Sequence, residues 1–201
     1  MGARPRRCAV VALLIAHALS LAAAGQAPLR RDADQLKQKI AAITERGTTV
    51  SRQAFTTSVT EQEVNAYLAF EAAPDLPVGV IDPSVSMLGD SRVVGRAVVD
   101  LDRVRQGSSA TSLLDPVRFL RGRLMVKATG MLHATSGLAR FDLESADVAG
   151  VPIPKILLQQ IVTYYSRSRE HPAGIDLDDP LPLPAGIREL QVEAGRAVIV
   201  Q

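Results

Sequence analysis

The sequence predicts an α+β fold: a curved antiparallel sheet of hairpins packed on a long amphipathic helix, with a further helix at the N-terminus. Three observations carry that expectation. Residues 123–135 alternate apolar and polar along their whole length and turn at Ser136-Gly137 into a return strand, the pattern of a long hairpin. Gly95 and Gly130 stand in mid-strand, where a sheet can bend or another group can approach closely. Residues 150–167 form an apolar segment too long for a strand, in which Lys155, Gln159, Thr163 and Ser166 recur at steps of four, four and three, one face of a helix.

Residues 1–24 read as an export signal. Arg4, Arg6 and Arg7 precede an apolar run over residues 9–21, and Ala22-Ala23-Ala24 offers a cleavage site. The run is shorter than the roughly 20 residues of a bilayer span. The chain has 23 basic and 21 acidic residues; without the three leader arginines the balance is 20 against 21. The basicity therefore belongs to the leader and gives no argument for nucleic acid, and aromatic residues for base stacking are only 3% of the chain. The single cysteine, Cys8, lies in the leader, so an exported product would be held by its apolar core without disulfides. The remaining length, about 177 residues, suits one domain. The expected division is a signal over 1–24, an N-terminal helix over 25–47 and a single α+β domain over 48–201, exported to the periplasm or cell envelope.

The elements follow in order. Residues 29–46 read as a surface helix or a partly independent arm, with Ala33, Leu36, Ile40 and Ile43 as a narrow stripe and Gly47 at the C-cap. The stripe spans too few heptads to argue for an oligomerising seam. Residues 48–59 read as a strand. Thr60 and Glu63 make a capping box, with Val59 and Val64 as its hydrophobic staple, so a short helix is expected over 61–70, stopped by Pro74 and Pro77. Residues 78–81 and 84–88 read as strands separated by Asp82-Pro83, a break or an edge position, and Gly89-Asp90 is a two-residue turn into a strand over 92–102. A loop over 107–112 and a short helical turn over 113–120 lead to the long hairpin. After the apolar helix, residues 171–184 are an acidic, proline-rich connection, and strands over 187–192 and 197–200 close the chain about Ala194-Gly195.

Chemistry is sparse. His133 shares a strand face with Met131 and Thr135 and reads as a surface or groove histidine; His171 precedes Pro172 in a connector. Asp176, Asp178 and Asp179 match the opening of a calcium loop, but the sixth and twelfth places hold Leu181 and Ile187 instead of glycine and glutamate. Asp100 and Asp102 fit a salt-bridged strand end with Arg103 or Arg105. Arg121, Arg123 and Lys127 gather at the start of the long hairpin, where charge would protect a strand edge or meet a lipid headgroup. The sequence contains no G-x-S-x-G, no phosphate-binding loop and no dinucleotide fingerprint. No catalytic residue, metal ligand or cofactor is assigned.

The stretch Thr60-Glu61-Gln62-Glu63-Val64-Asn65-Ala66-Tyr67-Leu68, the paired hairpins, Val151-Pro152-Ile153-Pro154 opening a helix, Leu181-Pro182-Leu183-Pro184-Ala185-Gly186-Ile187 and the final hairpin together resemble the LmeA-type exported proteins. Those are similar to the tubular lipid-binding (TULIP) group, in which a long helix lies against a strongly curved sheet with an acyl chain between. The resemblance spans roughly residues 55–201 and leaves the first helix without a counterpart. It implies a non-enzymatic protein of the cell envelope that binds a lipid or other hydrophobic small molecule, with transient membrane contact. The expected lining is Ile156, Leu157, Ile161 and Tyr164 from the helix, facing Val93, Val99, Val126 and Leu132 from the strands. The same residues would also serve as plain core, which leaves two other readings: an envelope interaction module whose binding surface is the first helix, and a hydrolase of unrecognised type.

Overall fold

In the computed structural model, which describes residues 27–48, 53–107, 121–165, 173–174 and 176–201, the chain runs α1 (Arg30–Gly47), β1 (Thr56–Thr60), α2 (Glu61–Phe70), β2 (Val80–Gly89), β3 (Arg92–Asp100), α3 (Leu101–Gly107), β4 (Arg123–Thr135), β5 (Leu138–Val148), β6 (Val151–Pro152), α4 (Lys155–Tyr165), β7 (Leu181–Pro182), β8 (Glu189–Glu193) and β9 (Arg196–Val200). Among the described residues nine strands join in one antiparallel sheet, ordered β1-β9-β8-β4-β3-β2, with β5 on the other side of β4 and the short β6 and β7 along β5. Strand β4 is the hinge of this arrangement. It pairs with β3 from Arg123 to Met131, and beyond that β8 takes over the same side through Ala134 and Leu190.

The long hairpin forms where the alternation predicts it, and Ser136 and Gly137 turn it with positive φ. The first hairpin differs by one residue. Its turn is Asp90-Ser91, both with positive φ, because a register shift after Met87 keeps Gly89 paired with Arg92. Asp82-Pro83 marks an edge position and not a break: β2, the last strand of the order, continues through it, absorbing the proline in a second register shift with Asp82 at φ 47°. Of the strand expected over 48–59 only Thr56 onward is regular, and residues 49–52 lie outside the described chain. The loop and helical turn expected over 108–120 also lie outside it.

Helix α2 is built by its cap. The Thr60 hydroxyl accepts from Glu63 N at 3.2 Å, and the Glu63 carboxylate accepts from Thr60 N at 2.8 Å, which satisfies two of the free N–H groups at the helix start. The staple residues fall inside: Val59 is buried, and Val64 packs on a cluster of Met87, Val192 and Ala197. Two further polar side chains finish the edge of β2. Glu61 accepts from Met87 N at 2.7 Å, while Asn65 bonds both the N–H and the carbonyl of Val85 at 2.8 Å. A strand edge left bare is a template for further pairing; this one is closed by its own helix.

Helix α1 lies on α2. Ala33, Leu36 and Ile43 are buried, but Ile40, the fourth member of the expected stripe, is 39% exposed. The Lys39 ammonium reaches the buried Glu63 at 2.7 and 2.8 Å and the Ser58 carbonyl at 2.7 Å. At the other end, Gln201 donates to the carbonyls of Ile43 and Ala185 and accepts from Arg46. Gly47 is the last helical residue, pressed against the Ala185 backbone with no room for a Cβ.

Asp100 ends β3 as a salt-bridged strand end, with Arg103 at 3.9 Å and Arg123 at 3.2 Å from its carboxylate, and it also caps the next element. Leu101 starts helix α3, and the Asp100 carboxylate caps it by accepting from Asp102 N and Arg103 N at 3.2 and 3.1 Å. Foremost the Arg103 N–H, against partial burial, and then Arg123 at 3.2 Å hold this carboxyl below its ordinary 3.8.

Burial works to raise the Glu63 carboxyl, but its bonds with Lys39 and Thr60 outweigh that and hold it below its ordinary 4.5. A depressed carboxyl stabilises the fold above the unfolded-state value, and that stabilisation is lost as pH falls through the folded-state value. Urea unfolding of the wild type should therefore weaken below about pH 4.5 more steeply than that of Glu63→Gln. At neutral pH, Lys39→Ala should lower stability by about 1.5–3 kcal/mol, the range for a charged hydrogen bond to a buried group. Asn65→Ala should cost about 1–3 kcal/mol by leaving Val85 without its partners, and light scattering should show the uncovered edge associating.

Candidate functional site on one face of the sheet

Directly opposed residues of antiparallel strands share a face, so the registers sort the sheet into two. One face carries the rows Met87-Val93-Gly130-Leu143, Val85-Gly95-Ala128-Ala146, Ala97-Val126-Val148-Val151 and Val80-Val99-Leu124. None of these is charged. The other face carries Arg92-Met131-Asp142, Arg96-Lys127-Asp147 and Asp100-Arg123.

The apolar face is unevenly covered. At the α2 end, Val64, Val85, Val93, Leu132 and Leu190 pack around Met87, Val192 and Ala197. Farther along, Ala97, Val99, Leu124, Val126 and Ala128 are only half-buried. No large side chain among the described residues is fully buried, and six of the fourteen buried apolar positions are alanines: Ala33, Ala66, Ala72, Ala134, Ala146 and Ala197, with valine and leucine making up most of the rest. The two mid-strand glycines differ. A Cβ on Gly130 would lie 2.5 Å from Phe141 Cζ and from the Asp142 carbonyl, so the Phe141 ring occupies that space. Among the described residues a Cβ on Gly95 would meet nothing within 4 Å.

Helix α4 reaches the sheet through a tight turn. Ala149 and Gly150 have positive φ, Val151 pairs back onto Val148, and Ile153 N donates to the Ala146 carbonyl at 2.9 Å. Pro154 then opens the helix, its carbonyl accepting from Leu157 N and Leu158 N. The helix packs against β5. Its polar positions hold the returning chain: Gln159 accepts from Leu177 N at 2.9 Å and donates to Thr163, and Lys155 pairs with Asp178. Its apolar positions are left in the open. Ile156 is 72% exposed and Leu157 37%, while Leu158, Ile161 and Val162 are half-buried.

The eight expected lining residues are therefore divided. Val93, Val99, Val126 and Leu132 share the apolar face, Val93 and Leu132 in its covered half and Val99 and Val126 in its open half. Ile156, Leu157 and Ile161 stand on α4 beside β5, beyond the strands that carry those four. The Tyr164 side chain and His171 lie outside the described residues.

A groove of about 610 Å³ was not foreseen. It is lined by residues 88–91 at the first hairpin turn, 132–135 at the end of β4 and 189–194 of β8, segments that the seam between β3 and β8 brings together. Leu132 is the one expected residue that borders it. His133 also lines it, with Nε2 3.4 Å from the Asp142 carboxylate and its side chain half exposed. Nothing local announces such a seam, because its walls come from three segments spread over about a hundred residues. Among the described residues no group of three or more His, Cys, Asp or Glu could hold a metal ion. Asp176 accepts from Asp178 N at 2.9 Å, which folds that acidic stretch into a turn.

Fold and face together define an α+β protein with a large antiparallel sheet, one side apolar and partly open. Among protein-family models, curated proteins and solved structures, none matches this chain.

The glycine pair offers a direct check on the face. Gly130→Ala should lower the thermal midpoint markedly, by an overpacking penalty of about 1–3 kcal/mol. Gly95→Ala should leave stability unchanged or slightly raised, since glycine in a strand costs about 0.5–1 kcal/mol relative to alanine.

Proposed function

We propose that the protein binds a long acyl chain, or an apolar ligand of similar length, along the open half of the apolar sheet face. The observation that carries this reading is the half-covered row of Ala97, Val99, Leu124, Val126 and Ala128 beside Gly95, where an added Cβ would meet nothing within 4 Å among the described residues. The exposed Ile156 and Leu157 of α4 give a further apolar surface next to β5. On this reading the sheet curves at Gly95 and Gly130, α4 acts as an amphipathic cover, and the likeness to the LmeA-type and tubular lipid-binding proteins extends to function. The protein would then be exported to the cell envelope, exchange its ligand with membranes, and make or break no bond.

Magnitudes set the ligand's size. A micromolar Kd requires about 8 kcal/mol, and association itself costs at least about 4 kcal/mol. At about 0.8 kcal/mol per buried methylene, roughly 15 methylenes are needed. Palmitate-length probes should therefore bind, whereas octanoate-length ones should not. Native mass spectrometry of the gently purified protein, with fluorescence titration of acyl probes, measures this. Gly95→Phe fills the open space and should weaken palmitate binding about tenfold or more without lowering the thermal midpoint. A protein that arrives empty and ignores long-chain probes sinks the proposal.

A further inference from the structure

Phe141 is the only phenylalanine, tyrosine or tryptophan on strands β2 to β5. It opposes Leu132 across the long hairpin, on the apolar face. Its ring does not stand over that partner. An added Cβ on Gly130 would lie 2.5 Å from Phe141 Cζ and 2.9 Å from Cε2, so the tip of the ring lies over Gly130, toward the open half of the face. Any side chain at position 130 would collide with it. A register shift sits beside the pair: Thr129 opposes Ser145 and Gly130 opposes Leu143, which leaves Glu144 as the extra residue of a bulge. A bulge re-aims the side chains around it.

The place of the ring says what it does. Along β4 the apolar face presents Leu124, Val126, Ala128, Gly130 and Leu132 in turn. The first three belong to the half-covered part, whereas Leu132 and Val93 pack on the cluster of Met87, Val192 and Ala197. Gly130 is the boundary, and the Phe141 ring lies across it. On one side is Ala128, opposed by Gly95, where an added Cβ would meet nothing within 4 Å among the described residues. On the other are packed side chains. The ring is half-buried and stands outside that cluster. An acyl chain lying along the strands toward it meets an aromatic wall. Without the wall the open run would lengthen by two residues of strand, about 7 Å.

We propose that Phe141 is the chain stop of the apolar face: its ring ends the open half and so sets how long an acyl chain the protein prefers. This role deepens the acyl-chain reading and rests on it. Methylenes beyond the stop stay in water and add nothing to affinity, so the wild type should hold eicosanoate no more tightly than the shorter palmitate. Phe141→Ala opens the space over Gly130 to the ligand, where burying about two further methylenes is worth about tenfold in affinity. That variant should therefore prefer eicosanoate over palmitate by about tenfold, read as the ratio of the two Kd values from displacement of a fluorescent acyl probe. A ring seated on a glycine also steadies a sheet, but lost stability weakens both ligands alike and leaves their ratio in place. Phe141→Leu keeps an apolar side chain of shorter reach. It should move the ratio the same way by a smaller factor, and it decides the matter should the alanine variant not fold. Palmitate binding with an unchanged ratio in the variants overturns the chain stop and leaves the acyl reading standing. A wild type that binds neither acid removes the acyl reading, and the stop with it.

Discussion

The structure depends on how helix α2 completes the edge of strand β2. Glu61 and Asn65 are four residues apart on the helix, a rise of about 6 Å. Their targets, Met87 and Val85, are two residues apart on the strand, a rise of about 6.6 Å. The two spacings agree closely enough for both side chains to bond backbone groups directly, at 2.7 and 2.8 Å. The Thr60 cap sets where the helix begins, and so sets the rotation that aims those side chains at the strand. With Asn65 on the edge, Val64 turns toward Met87, Val192 and Ala197. Glu63 is left facing away, where Lys39 brings in α1.

That constraint matters because the apolar core is thin. Its buried members are mostly alanine and valine, and none of the described large side chains is fully buried. Polar clasps at the element junctions take on positioning that a thicker core would supply: Asn65 on Val85, Lys39 on Glu63, and Gln201 between α1 and the Ala185 carbonyl. Such clasps hold elements in register while covering little apolar surface. The sheet face beyond Val93 is left half-covered among the described residues.

The open face runs out to the edge of the sheet. The row Ala97-Val126-Val148-Val151 begins on the sheet face and ends at the exposed Val151. An apolar path thus runs from that side chain to the half-covered strands.

The sequence by itself determined the features that local rules govern. The capping box at Thr60 and Glu63, the hairpin turning at Ser136-Gly137 and the closing hairpin at Ala194-Gly195 are legible because strand alternation, helix caps and positive-φ turns act over a few residues. The apolar surplus of the segment from Val151 to Ile161 was legible for the same reason. Only the tertiary structure decided that Asp100 caps a helix, that β2 runs through Pro83, and that Ile40 stays in solvent while Ile43 is buried. It also decided that α4 packs on β5, and that a groove of about 610 Å³ lies at the β3–β8 seam. Each of these rests on which distant segment lies alongside, and a pairing between residues a hundred positions apart leaves no periodicity in either partner.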